Sequence, residues 1–185
     1  MTELNFLELF RDINEIKHKE REGWKKHGVE TPRDTIASHS YGAAIIGWIV
    51  AEKHNLDSDK MVKMLLIHDL IMAHIPDVKP EDEGYESKKS MEMQKADELI
   101  QKMPEEIREE FKELFEEHQA EKTEFSQVAN ESDKIDTLLQ SLLYSEQLEQ
   151  NMSQEFINFY EEEFQTDTGK KIYQEIEKIS SNLEE

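Results

Sequence analysis

The chain has 185 residues, a formal net charge of −21 and no cysteine, a length that suits one domain with a real core and argues against two. Without cysteine, disulfides, thiolate zinc sites and cysteine nucleophiles are excluded, so any metal must rest on histidine and carboxylate. The acidic balance repels phosphate backbones and anionic bilayers, which speaks against nucleic-acid and membrane partners.

Only six Gly and four Pro interrupt the chain, and its apolar residues recur at spacings of three and four, so the pattern predicts an all-α fold. The start, MTELNFLELFRDINEIKHKE, is an amphipathic acidic helix with a stripe of Leu4, Leu7, Ile13 and Ile16. It carries no basic n-region, and no apolar run reaches the ~18 residues of a membrane span, which points to a cytoplasmic protein. GVETPRDT breaks the pattern. A second helix, from about Ile36 to His54, is apolar almost all round through YGAAIIGWIVA and reads as central. Asp57 or Ser58 can cap a third helix, with Met61, Met64, Leu65 and His68 on one face and an end before Pro76.

PDVKPEDEGYES reads as a loop long enough to carry function, followed by a helix through KKSMEMQKADELIQKM. Pro104, Glu105 and Glu106 suit the first turn of the next helix, where acid favours the positive end of the dipole. FSQVANESDKIDTLLQSLLYSEQL is a further helix, and one or two acidic helices finish the chain. The acid in EEIREEFKELFEEHQAEKTE and in the tail reads as solvated helix faces.

LLIHDLIMAHIPDV places His68 and Asp69 side by side in a run otherwise as apolar as a core helix. Burying an unpaired charge costs several kcal/mol, so the pair either caps a helix end at the surface or holds a metal. A helix-to-helix metal site needs imidazoles and carboxylates converging from separate apolar helices. His39 opens the second helix, His68 and Asp69 end the third, and Asp133 sits where a later helix turns apolar. Neighbours on a helix point about 100° apart, so His68 and Asp69 share an ion only near a helix end. Taken singly, each histidine also reads as a hydrogen-bonded core residue, and Asp133 and Asp136 as solvated helix residues.

The ordered set His39, His68-Asp69 and Asp133 resembles the H…HD…D signature of the HD-domain metal-dependent phosphohydrolases. REGWKKHGVETPRDTIASHS resembles the R-x-G-W…E-H-S entry of the small 5'-deoxynucleotidase-like members, and KMLLIHDLIMAHIPDVKP their HD helix. ESKKSMEMQKADELI and SDKIDTLLQSLLYSE follow in the family's order. The resemblance covers about residues 4–150 of a single HD-type helical bundle spanning 1–185, with acidic helices at 151–185.

By resemblance, His39, His68, Asp69 and Asp133 are the ligands of a divalent metal. A His2Asp2 set suits Mn, Co, Fe, Ni or Zn better than Ca. Arg21 matches the arginine on the substrate phosphate, Trp24 the tryptophan near the sugar, and Asp77 the acid beside the sugar and the reacting water. Asp77, Arg21 and Asp69 are thus the expected catalytic residues. The implied reaction converts a 5'-deoxyribonucleoside monophosphate to nucleoside and phosphate, in a protein expected to form a homodimer, with the acidic tail helices as one candidate rim for its interface.

The pattern departs at three places. Met72 stands where the family carries a glutamate thought to help activate water, Pro76 replaces a glycine, and Ser38 replaces the glutamate before the first ligand. Losing a positioned base typically costs about 10²- to 10⁴-fold. Asp77, an acid of KPEDEGYE or His74 could take over that role. Deoxynucleoside triphosphate hydrolysis and metal or nucleotide binding without turnover are the alternatives.

Overall fold

The structure, a computed structural model, describes the backbone of residues 3–75 and 85–182 and the side chains of 6–75 and 94–181. Asp77 and most of the segment predicted as a functional loop lie outside the described residues. The helices run α1 (Glu3–His18), α2 (Ile36–His54), α3 (Ser58–Ile67), α4 (Tyr85–Lys102), α5 (Glu105–Ala120), α6 (Glu124–Leu148), α7 (Ser153–Tyr160) and α8 (Asp167–Asn182), with 3-10 turns at Glu22–His27 and Leu70–Ala73. Among the described residues there is no strand, only an isolated antiparallel bridge between Glu20 and Thr35, and no helix is long and apolar enough to cross a membrane.

α2 starts where its capping chemistry says it should. Thr35 Oγ1 accepts from the Ser38 amide at 3.1 Å, and Ser38 Oγ accepts from the Thr35 amide at 2.8 Å, a reciprocal box that satisfies two orphan donors of the first turn. Ser38 therefore closes the cap at the position where the family it resembles carries glutamate. Asp57 caps α3 through the Lys60 amide at 2.9 Å. α3 packs closely on α2 because Gly47 has no side chain: a Cβ there would fall inside Leu65 Cδ1 and 3.0 Å from Met61 Cγ. Met61, Met64 and Leu65 are fully buried in this seam.

α6 lies against α2 on one side and the tail helices on the other. Ile135, Leu138 and Leu142 pack with Ile157, Phe164, Tyr173 and Ile176, so the tail helices cover their own domain. Buried Glu131 accepts from the amides of Gln165 and Thr166 at 2.6 and 2.7 Å and from the Thr166 hydroxyl, which anchors the start of α8.

Four expectations change. On α1 the buried face runs through Leu9, Ile13 and Ile16, while Leu7 is about half exposed, because position 7 lies on the far side of the helix from 9, 13 and 16. α2 is not covered all round: Tyr41, Ile45, Trp48 and Ile49 form an exposed stripe, as small residues turn the opposite face to its neighbours. α4 already begins at Tyr85, within the predicted loop, and Pro104 is the cap residue of α5 rather than part of its first turn.

Candidate metal centre

His39 lies in the first turns of α2 and is buried at 1% exposure. His68 and Asp69 follow the last residue of α3, so the pair sits at a helix end, where neighbouring side chains can turn toward one point. Asp133 reaches them from α6. His39 Nε2 is 2.7 Å from Asp133 Oδ1 and 4.0 Å from Asp69 Oδ2; His68 Nε2 is 3.6 Å from Asp69 Oδ2 and 3.9 Å from Asp133 Oδ1. Donors bound at about 2.0–2.2 Å to one ion stand roughly 3–4.4 Å apart. Three of the four spacings already fall there, and the short His39–Asp133 one is a hydrogen bond that an ion would replace.

The lone pairs show that these residues fit a cation. His68 Nδ1 lies 2.7 Å from the Leu65 carbonyl, and a carbonyl only accepts, so Nδ1 carries a proton. In the neutral ring Nε2 then presents a lone pair. That nitrogen is buried, has no hydrogen-bond partner and faces two carboxylates. A divalent ion turns this repulsive arrangement into an attractive one. His39 is held similarly, with Nδ1 2.7 Å from Asp136 Oδ2. Burial and the Arg21 charge push the His39 pKa down, but the hydrogen bonds and charge of Asp133 and Asp136 outweigh them and raise it to about 9. For Asp133, burial pushes up while the His39 hydrogen bond and the His39 and Arg21 charges hold it well below the carboxylate range. Metal on His39 Nε2 must therefore displace a proton.

Arg21 enters from the segment before α2. The Glu20–Thr35 bridge, with Arg21 N to Asp34 O at 2.9 Å and Ile36 N to Lys19 O at 2.9 Å, clips this segment to the N-terminus of α2. The Arg21 guanidinium then lies 3.2 Å from His39 Nδ1, donates to Thr137 Oγ1 at 3.1 Å and sits 3.6 Å from Asp34. Beneath it, Trp24 is 2% exposed among Val29, Tyr144 and Met152, with Arg21 over its ring at 5.6 Å. Met72 packs into an apolar cluster with Ile71 and Ile75. His74 is exposed and held by Asp12 at 2.8 Å.

Sequence reasoning missed three neighbours. Asp136, read as equally a solvated helix residue, contacts His39. His118 on α5 is buried at 5%, has neither ring nitrogen partnered, and its ring lies 5.2 Å from that of His68. Burial pushes its pKa down to about 4. The signal was there: Phe111, Leu114, Phe115 and His118 follow the i, i+3, i+4, i+7 spacing of a buried stripe. Tyr160 on α7, whose phenol is pushed up to about 12 by burial and by the Asp133 charge, had no such signal.

A family model described as HD domain matches residues 13–180. The chain is 28% identical to the 5'-deoxynucleotidase HDDC2 of Bos taurus over 181 residues, 97% of this chain and 84% of that protein. It is 30% identical to the HDDC2 5'-deoxynucleotidase of Dictyostelium discoideum over 151 residues, 77% of this chain and 79% of that one. Among solved structures, a Pyrococcus horikoshii protein superposes with a TM-score of 0.75 at 27% identity, covering 95% of this chain and 98% of the other. A predicted metal-dependent phosphohydrolase from Magnetospirillum magnetotacticum shares the fold with a TM-score of 0.72 at 17% identity, covering 98% and 93%.

Proposed function

This chain belongs to the HD-domain family, and from that premise we propose that it is a metal-dependent phosphohydrolase that converts deoxyribonucleoside 5'-monophosphates to nucleoside and phosphate. The observation that carries the reading is the unpartnered His68 Nε2 facing Asp69 and Asp133 beside the buried His39. His39, His68, Asp69 and Asp133 would hold the ion. Bound there, a divalent transition metal supplies Lewis acidity toward a phosphoryl oxygen and lowers the pKa of water.

Arg21 offers a planar cation to the substrate phosphate and offsets charge developing on the transferring group. Trp24 supports it from beneath at the side assigned to the sugar. Asp77, the acid assigned to sugar and water, would stand in for the glutamate that Met72 replaces. The substrate class rests on the 5'-deoxynucleotidase relatives.

Product analysis of Mn- or Co-loaded protein with deoxynucleoside mono-, di- and triphosphates tests this, with Asp69→Ala as control. Nucleoside plus phosphate from the monophosphate, lost in Asp69→Ala, is the expected result. Triphosphate release would replace the monophosphatase reading, and metal binding without product would reduce the protein to a binding module. Activity persisting in metal-free Asp69→Ala would sink the metal mechanism.

We also propose a homodimer. The support is the exposed α2 stripe of Tyr41, Ile45, Trp48 and Ile49, an apolar face on a chain otherwise rich in charge.

A further inference from the structure

Within the proposed metal site, we infer that Asp136 is the positioning residue that fixes the His39 tautomer, and that Gly42 is the gap in α2 that admits its carboxylate. The inference rests on the metal-centre reading, because a ring-orienting carboxylate matters only if His39 Nε2 takes a ligand. The geometry has three parts. Asp136 Oδ2 stands 2.7 Å from His39 Nδ1, on the opposite ring nitrogen from the one facing Asp133 and Asp69. His39 is almost fully buried while the Asp136 side chain is 18% exposed, so solvent competes little for the bond. A Cβ at Gly42 would fall well inside contact distance of Asp136 Oδ1 and 3.0 Å from its Cγ, so no other residue type leaves the carboxylate where it is.

The protons on His39 then decide what Arg21 does. Arg21 and Asp136 both approach Nδ1, at 3.2 and 2.7 Å. A guanidinium can only donate, and a carboxylate can only accept. With Nε2 given to a metal, the ring carries its proton on Nδ1, where Asp136 accepts it, and that nitrogen offers Arg21 no acceptor. Asp136 thereby favours the metal-binding tautomer and leaves an Arg21 donor available to an anion in the same site. Ligating histidines oriented by a carboxylate typically lose about 10- to 100-fold in metal affinity when that carboxylate is removed.

Metal affinity of the full chain, measured by chelator competition with Co(II) and Zn(II) alongside the visible spectrum of bound Co(II), tests the inference on wild type, Asp136→Asn, Asp136→Glu, Gly42→Ala and Asp69→Ala. Circular dichroism checks each fold. Asp136→Asn and Gly42→Ala should each weaken binding about 10- to 100-fold with a changed Co(II) spectrum, and Asp136→Glu should recover part of the affinity. Gly42→Ala is informative because alanine favours helix over glycine, so fraying of α2 would not explain a loss. Wild-type affinity and spectrum in Asp136→Asn, with Asp69→Ala still defective, would overturn the inference and leave the metal centre standing. Failure of the wild type itself to bind metal would overturn the centre and this inference with it.

Discussion

Replacing Gly47 by alanine is expected to destabilise the protein although it removes a glycine from a helix interior. The gain in helix propensity is about 0.8–1.0 kcal/mol. Against it, the new methyl would lie inside Leu65 Cδ1 and 3.0 Å from Met61 Cγ, both side chains at 0% exposure. The Met61 thioether can bend away, but Leu65 is branched and fully buried in the cluster that also holds Ala44, Val50, Leu114 and Val128. Overpacking of this kind costs about 1–3 kcal/mol, which leaves a net loss between about 0 and 2 kcal/mol, centred near 1. For a chain of this size a loss of about 1 kcal/mol lowers Tm by about 2–4 °C. Urea unfolding in two backgrounds separates the terms. With Leu65→Ala, the vacated space accepts the methyl, and Gly47→Ala should become neutral or stabilising. The effect reaches the metal centre, because the Leu65 carbonyl fixes the His68 ring at 2.7 Å, so Gly47→Ala should also weaken metal binding. Stabilisation by Gly47→Ala in the native background, or the same effect in both backgrounds, would refute the packing argument.

Arg21→Ala should raise KM for a deoxynucleoside monophosphate at least tenfold, about the value of one charged hydrogen bond, with a smaller change in metal affinity; equal losses in both would point to a structural role. His118→Phe should flatten the acid limb of stability of the metal-free protein. The folded His118 pKa lies near 4 against the ordinary 6.5, so the unfolded chain binds the proton more readily and stability falls as pH drops from about 6.5 toward 4. That difference amounts to about 3 kcal/mol, and parallel urea profiles for wild type and variant at pH 7 and 5 would refute it. Trp48→Glu should convert the proposed dimer to monomer in light scattering without loss of helix content, whereas a monomeric wild type would remove the dimer.

The cluster of His39, His68, Asp69 and Asp133 was legible because its members are few, chemically distinctive and fixed in order, and because the bounds of α2 and α3 follow from local signals such as Asp57 at a cap. The surroundings were less so, for reasons that are tertiary. Apolar content in α2 does not say which face a partner covers, so Tyr41 and Trp48 read as central while the structure leaves them open. Asp136 and a solvated helix aspartate look alike until α2 supplies His39 and the gap at Gly42. His118 sits in an acidic run whose charge hides its place on the buried stripe. Arg21 and His39 meet because residues 19–21 are bridged to 34–36, a pairing that helical periodicity does not signal.

That bridge separates the spacing of Arg21 and His39 from the length of chain between them. Glu30, Thr31 and Pro32 lie exposed in the excursion that it closes, and loop closure costs only about 0.6 kcal/mol per doubling of length. Insertions there would leave Arg21 and His39, the proposed anion-facing arginine and first metal ligand, in register. The excursion is thus a module that variation can rewrite to change what lies near the site while the ion-holding residues stay under separate constraint.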